Sequence, residues 1–102
     1  MTKKELPINQ INDFCRKWNI VEFSLFGSVL REDFSPQSDV DVLVQFHPSA
    51  RYSFFDLVHM QDELKEIFGR KVDLVSKRGI EGSRNPFRRK SILESAEVIY
   101  AA

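Results

Sequence analysis

A single cysteine, Cys15, stands among the 102 residues of this chain, so no disulfide can form within it. A reducing cytoplasm is the expected setting, and a lone cysteine among apolar neighbours reads as a small core filler rather than a reactive thiol. Long apolar runs are missing too. None approaches the roughly 18–20 residues of a membrane span, and the N-terminus carries no apolar segment of the kind that directs secretion. The two histidines, His47 and His59, have no metal-ligand spacing and no cysteine beside them, and both are expected at the surface. Repeats, low-complexity stretches and linkers are absent. Net charge is absent as well, because 15 basic and 15 acidic side chains cancel.

The cancellation is uneven. Residues 1–21 carry four basic and two acidic side chains, residues 22–69 three and nine, and residues 70–102 eight and four. An acidic centre suits metal ions and a basic C-terminal third suits phosphate or an acidic partner surface, although solvated faces and helix caps leave the same record. The hydrophobic fraction of 42% and charged fraction of 29% are those of an ordinary soluble globular protein. The length fits one domain over residues 1–102, since domains run to about 100–150 residues.

Apolar periodicity divides the chain. Ile8, Ile11, Phe14, Cys15 and Trp18 recur at three- and four-residue steps, which predicts an amphipathic helix with Pro7 near its first turn. From Ile20 to Phe26 the pattern becomes alternation, with Val21, Phe23 and Leu25 interleaved with Glu22 and Ser24, as in a half-buried strand. Gly27-Ser28 breaks it. A short helical turn through Val29-Leu30-Arg31 and a loop from Asp33 to Ser38 follow. A second strand is predicted from Asp39 to Phe46, with Val40, Val42, Val44 and Phe46 on one face.

Ser53 and Asp56 make a capping-box start for the next helix, whose stripe is Phe54, Leu57, Val58, Gln61, Leu64, Ile67 and Phe68, with Gly69 as its natural end. Lys71 to Val75 reads as a third strand and Ser76 to Asn85 as a loop. Pro86 opens a last helix with apolar positions at Phe87, Leu93, Ala96, Ile99 and Tyr100. The expected architecture is a two-layer α/β domain, a small mixed sheet with flanking helices.

Chemistry concentrates between the first two strands. Residues two apart on a strand share a face, so Asp39 and Asp41 both project away from Val40, Val42 and Val44. Adjacent carboxylates repel, which costs stability unless a cation lies between them. Hard oxygen ligands so placed suit Mg²⁺, which takes one or two carboxylates together with substrate phosphates. Asp73 alternates with Val72 and Leu74 and can add a third carboxylate from a neighbouring strand. Three such groups could hold two metals about 3.5–4 Å apart, the clamp used for in-line phosphoryl displacement. Gly27, lacking Cβ, lets the backbone approach a triphosphate. Ser28, at the start of a helical turn, can donate its hydroxyl to the same anion. A Gly-Ser pair or an Asp-x-Asp alone is commonplace; with ten residues between them they make a specific signal.

Leu25-Phe26-Gly27-Ser28-Val29-Leu30-Arg31 followed by Ser38-Asp39-Val40-Asp41-Val42-Leu43-Val44 resembles the signature of the minimal nucleotidyltransferases of the DNA polymerase β superfamily. The strand holding Asp73 and the tail from Asn85-Pro86-Phe87-Arg88 to Ile99-Tyr100 resemble the family's end, so the likeness covers nearly the whole chain. The resemblance implies the polymerase β-like nucleotidyltransferase fold, with ATP as substrate and two Mg²⁺ ions. It implies that Gly27 and Ser28 hold the triphosphate, with Arg31 and Ser38 beside them, and that Asp39 and Asp41 bind both metals. Asp73 would bind the catalytic metal and help deprotonate the attacking hydroxyl. Glu32 stands where family members usually have glycine, which bears on the turn after Arg31. Arg31 either touches phosphate or pairs with Glu32 or Asp33.

Members this small resemble antitoxins that transfer AMP to a tyrosine of a HEPN-domain toxin, which makes a hetero-oligomer with such a partner the expectation. The short chain fits an acceptor hydroxyl supplied by another protein. The rival reading is a non-catalytic antitoxin that silences its partner by docking. Acyl-phosphate phosphatases also use Asp-x-Asp, but after an apolar strand, whereas Asp39 and Asp41 precede theirs. Sugar-nucleotide transferases with Asp-x-Asp need a much longer chain. Arg84, Arg88, Arg89 and Lys90 form a basic cluster without an aromatic stacking motif, so triphosphate or an acidic partner face is expected there rather than nucleic acid.

Overall fold

The computed structural model describes residues 6–27, 39–82 and 84–102. Along them run α1 (Ile8–Lys17), β1 (Ile20–Phe26), β2 (Val40–Phe46), α2 (Phe54–Phe68), β3 (Val72–Ser76), α3 (Lys77–Glu81), α4 (Pro86–Ser95) and β4 (Glu97–Ala101). The strands form one mixed sheet in the order β3-β2-β1-β4. The β1–β2 and β1–β4 pairs are antiparallel and β2–β3 is parallel, with α2 as the crossover. A small mixed sheet with flanking helices is the expected class. The helical turn at residues 29–31 and the loop at 33–38 lie outside the described residues.

Side-chain alternation gives the sheet two unequal apolar faces. Phe23 and Leu25 of β1, Val40, Val42 and Val44 of β2 and Val72 of β3 pack with Ile11, Phe14 and Cys15 of α1 and Met60, Leu64 and Phe68 of α2. The opposite face holds a smaller cluster: Phe26, Leu43, Ile80 of α3 and Ile92 of α4, with Val75 and Ala96 against it. α1 and α2 are clasped at one end. Lys17 and Trp18 both hold Glu63, the indole Nε1 donating to Oε2 over 2.9 Å. Ser53 and Asp56 form the capping box, and Gly69 closes α2 in the left-handed conformation, φ 68°.

Five expectations are corrected. The last helix stops at Ser95, and Glu97–Ala101 is a strand, so the described sheet has four strands rather than three. Leu93, Ala96, Ile99 and Tyr100 do fall at helical spacing, but Val98, Ile99 and Tyr100 are strand formers, and pairing them with β1 satisfies an edge otherwise left open. Phe87 and Leu93 accordingly stay exposed, and α4 buries Ile92.

The expected loop from Ser76 contains α3, which Ser76 caps by accepting from the Gly79 amide at 3.0 Å and which buries Ile80. Strand β3 runs one residue later than predicted. The buried stripe of α2 is Met60, Leu64 and Phe68 flanked by Leu57 and Ile67, whereas Phe54, Val58 and Gln61 face outward. Phe54 and Phe55 stand exposed with their rings 6.4 Å apart. In α1, Ile8 is likewise exposed and Leu6, just ahead of the helix, fills the core instead.

Candidate functional site

The carboxylates belong to the face of the smaller cluster. Asp41 shares its side of β2 with Leu43, and Asp73 its side of β3 with Val75. The parallel register sets Asp41 directly against Asp73, and the antiparallel register sets Phe26 against Asp41. One row therefore crosses three strands as Phe26, Asp41, Asp73. Asp39 sits just before β2, near enough for its charge to act on Asp41.

Gly27 follows Phe26 and turns the chain with φ 76°, a conformation L side chains rarely adopt. A Cβ placed there would lie 2.4 Å from Oδ2 of Asp41. The glycine is thus required twice over, by its dihedral and by the carboxylate held against it. Ser28, Arg31 and Ser38, the other residues expected to bind nucleotide, lie outside the described residues.

Asp41 is half-buried, and its carboxyl is pushed above the usual carboxylate value. Burial contributes most, followed by the charges of Asp73 and Asp39, while the Arg88 guanidinium pulls the other way. A facing cation would relieve this repulsion, and hard carboxylate oxygens are the donors Mg²⁺ takes. Among the described residues, no three or more His, Cys, Asp or Glu side chains are gathered so that they could enclose an ion. The fit is accordingly with an open seat, the facing pair Asp41 and Asp73 with Asp39 at its margin. Such a seat leaves coordination positions for substrate phosphate.

Arg88 belongs to the basic cluster that the sequence singled out for triphosphate or an acidic partner face, and its charge reaches Asp41. The direction of these cations depends on where α4 begins. Asn85 fixes that start, its Oδ1 accepting from the amides of Phe87 and Arg88 at 3.1 Å each, with Pro86 in the first turn. The other titratable groups singled out earlier take no part. Cys15 is buried in the main core with its thiol pushed up to about 12 by burial, and His47 and His59 are exposed.

Residues 8–99 match the family model described as nucleotidyltransferase domain. A Methanocaldococcus jannaschii protein with the provisional name protein adenylyltransferase is 36% identical over 102 aligned positions, covering 91% of this chain and 96% of its own. Among solved structures, one described as a minimal nucleotidyltransferase superposes with a TM-score of 0.70 at 28% identity, covering 95% of each chain. A toxin–antitoxin complex with AMP-PNP superposes with a TM-score of 0.74 at 19% identity, covering 95% of this chain and 75% of that one. A complex of a tri-AMPylated Shewanella oneidensis HEPN toxin with its MNT antitoxin gives 0.66 at 16% identity, covering 99% and 74%. These last two likenesses concern the fold.

Proposed function

This chain belongs to the nucleotidyltransferase domain family, and we propose from that premise that it transfers AMP from ATP to a hydroxyl of a partner protein, a tyrosine of a HEPN-domain toxin, and so acts as its antitoxin. The observation that carries the reading is the row in which Asp41 faces Asp73 while the Gly27 backbone lies against the Asp41 carboxylate. That row can seat a hard cation and a phosphate chain at one strand end. The adenylyltransferase name of the Methanocaldococcus relative and the AMP-PNP and AMPylated complexes on the same fold support donor, product and partner class.

In this reading Gly27 and Ser28 hold the β- and γ-phosphates, with Arg31 and Ser38 beside them. Asp39, Asp41 and Asp73 would hold two Mg²⁺ ions. Bound there, the ions would supply charge neutralisation for the leaving phosphates. Asp73, at the outer end of the row, orients the acceptor hydroxyl and takes its proton. The hydroxyl oxygen bonds to the α-phosphorus, and the bond from that phosphorus to its bridging oxygen breaks. Pyrophosphate leaves with the electron pair. The whole described fold serves this one site as a single catalytic domain, and the reducing cytoplasm suits its unpaired, buried Cys15.

Which phosphate moves separates this reading from a kinase. The protein, a HEPN-domain partner and ATP labelled at either the α- or the γ-position are incubated with Mg²⁺. Label from the α-position is expected on the partner, in steps of one AMP mass, and chelation should abolish it. Transfer of γ-label would identify a kinase-like activity and overturn the proposal.

A further inference from the structure

The cations of α4 are sorted by the directions the helix gives them. Lys90 pairs with Glu94 one turn along the exposed side, at 4.0 Å. Arg89 donates from Nη1 to the Glu81 carbonyl at 3.4 Å, tying α4 back to the end of α3. Arg88 is placed differently. It precedes Ile92 by four residues, hence lies one turn away on the same helix face, and Ile92 is the residue α4 buries against Phe26 and Leu43.

Phe26 is the cross-strand partner of Asp41, and Leu43 is the next residue on Asp41's side of β2. The helix face that carries Arg88 is therefore held beside Asp41 by apolar packing. Its guanidinium is exposed, so it can turn to a new partner without being drawn out of a buried pair.

We infer that Arg88 is the cation that receives the triphosphate of the incoming nucleotide, its guanidinium reaching the β- and γ-phosphates. The inference rests on the nucleotidyl-transfer reading and adds to it a specificity residue for triphosphate over monophosphate. A planar fork of donors suits phosphate oxygens better than a point charge does. Placement in the first turn of a helix pinned by Asn85 and Pro86 keeps that fork in register with the strand end.

The test is calorimetric titration with the α,β-methylene analogue of ATP and with AMP, each in the presence of Mg²⁺. Wild type is compared with Arg88→Gln, Arg88→Lys, Arg89→Gln and Lys90→Gln, with a thermal melt of each to keep folding separate from binding. Arg88→Gln should bind the analogue about 10–100-fold more weakly, the range for a lost charge-assisted hydrogen bond. Arg88→Lys should fall between, and AMP should bind all five proteins alike. Wild-type affinity in Arg88→Gln would overturn the assignment and leave nucleotidyl transfer standing. An equal loss in Arg89→Gln or Lys90→Gln would replace it with diffuse attraction. Failure of the wild type itself to bind the analogue would sink both readings.

Discussion

At Gly27 two demands meet in one residue. The positive φ excludes most side chains at a cost of about 1–2 kcal/mol, and the Asp41 carboxylate occupies the place a Cβ would take. Gly27→Ala should therefore lower the unfolding free energy by about 1–2 kcal/mol in denaturant titration. It should also weaken Mg²⁺-ATP binding beyond what that loss explains, because relaxation pushes Asp41 aside. Asp41 itself offers a pH test. Its carboxyl is raised in the folded protein, so the folded state holds the proton more tightly than the unfolded state does. The resulting stability is fully present below the ordinary value of 3.8 and is lost as pH rises through the raised one. Asp41→Asn should remove this decline, leaving the metal-free variant at neutral pH as stable as wild type or more so. A variant that melts well below wild type there would show that the repulsion is not the controlling feature.

Among the elements, the clasp between α1 and α2 makes the opposite case. Burial raises the Glu63 carboxyl, but hydrogen bonds from Lys17 and Trp18 lower it further, and the net direction is down. The stability it contributes is present above the ordinary value of 4.5 and lost as pH falls through the lowered one. Glu63→Gln should cost about 1 kcal/mol at pH 7 and flatten the acid limb of the stability profile; an unchanged acid limb would refute the clasp. The elements also show where the sequence was readable. Alternation in β1 and β2, the Ser53–Asp56 box and Gly69 are local signals, and each marks an element the structure contains. The end of α4 was not readable in this way. Leu93, Ala96, Ile99 and Tyr100 satisfy a helix, and only the open edge of β1, far away in sequence, decides that residues 97–101 are a strand. In α2 the expected stripe began at Phe54 and ran through Val58 and Gln61 on the exposed side, although Met60, Leu64 and Phe68 are the residues the helix buries. The site divides likewise. The two-residue step from Asp39 to Asp41 is visible in the sequence, but the register that sets Asp41 against Asp73 is a non-local fact of the parallel pairing.

For the whole molecule, the acidic middle of the chain and its basic last third meet at one end of the sheet, where the charge of Arg88 reaches Asp41. A ligand that binds this arrangement and not the unfolded chain must stabilise the fold, by about 2.7 kcal/mol at 100 times its dissociation constant. For a domain of this size that corresponds to a rise in Tm of about 10–20 °C with Mg²⁺-ATP. The double substitution Asp39→Asn, Asp41→Asn should erase the rise without unfolding the protein. The same variant separates catalysis from docking. Asparagine keeps the shape of aspartate and removes only charge, so a contact surface elsewhere on the molecule is left intact. With a HEPN-domain partner, the variant should still co-purify as a complex, yet fail to transfer AMP and fail to silence the partner's activity in the presence of ATP. Silencing at wild-type strength by the double variant would mean that docking alone suffices, and the chain would then be an antitoxin whose nucleotide site is not what its partner answers to.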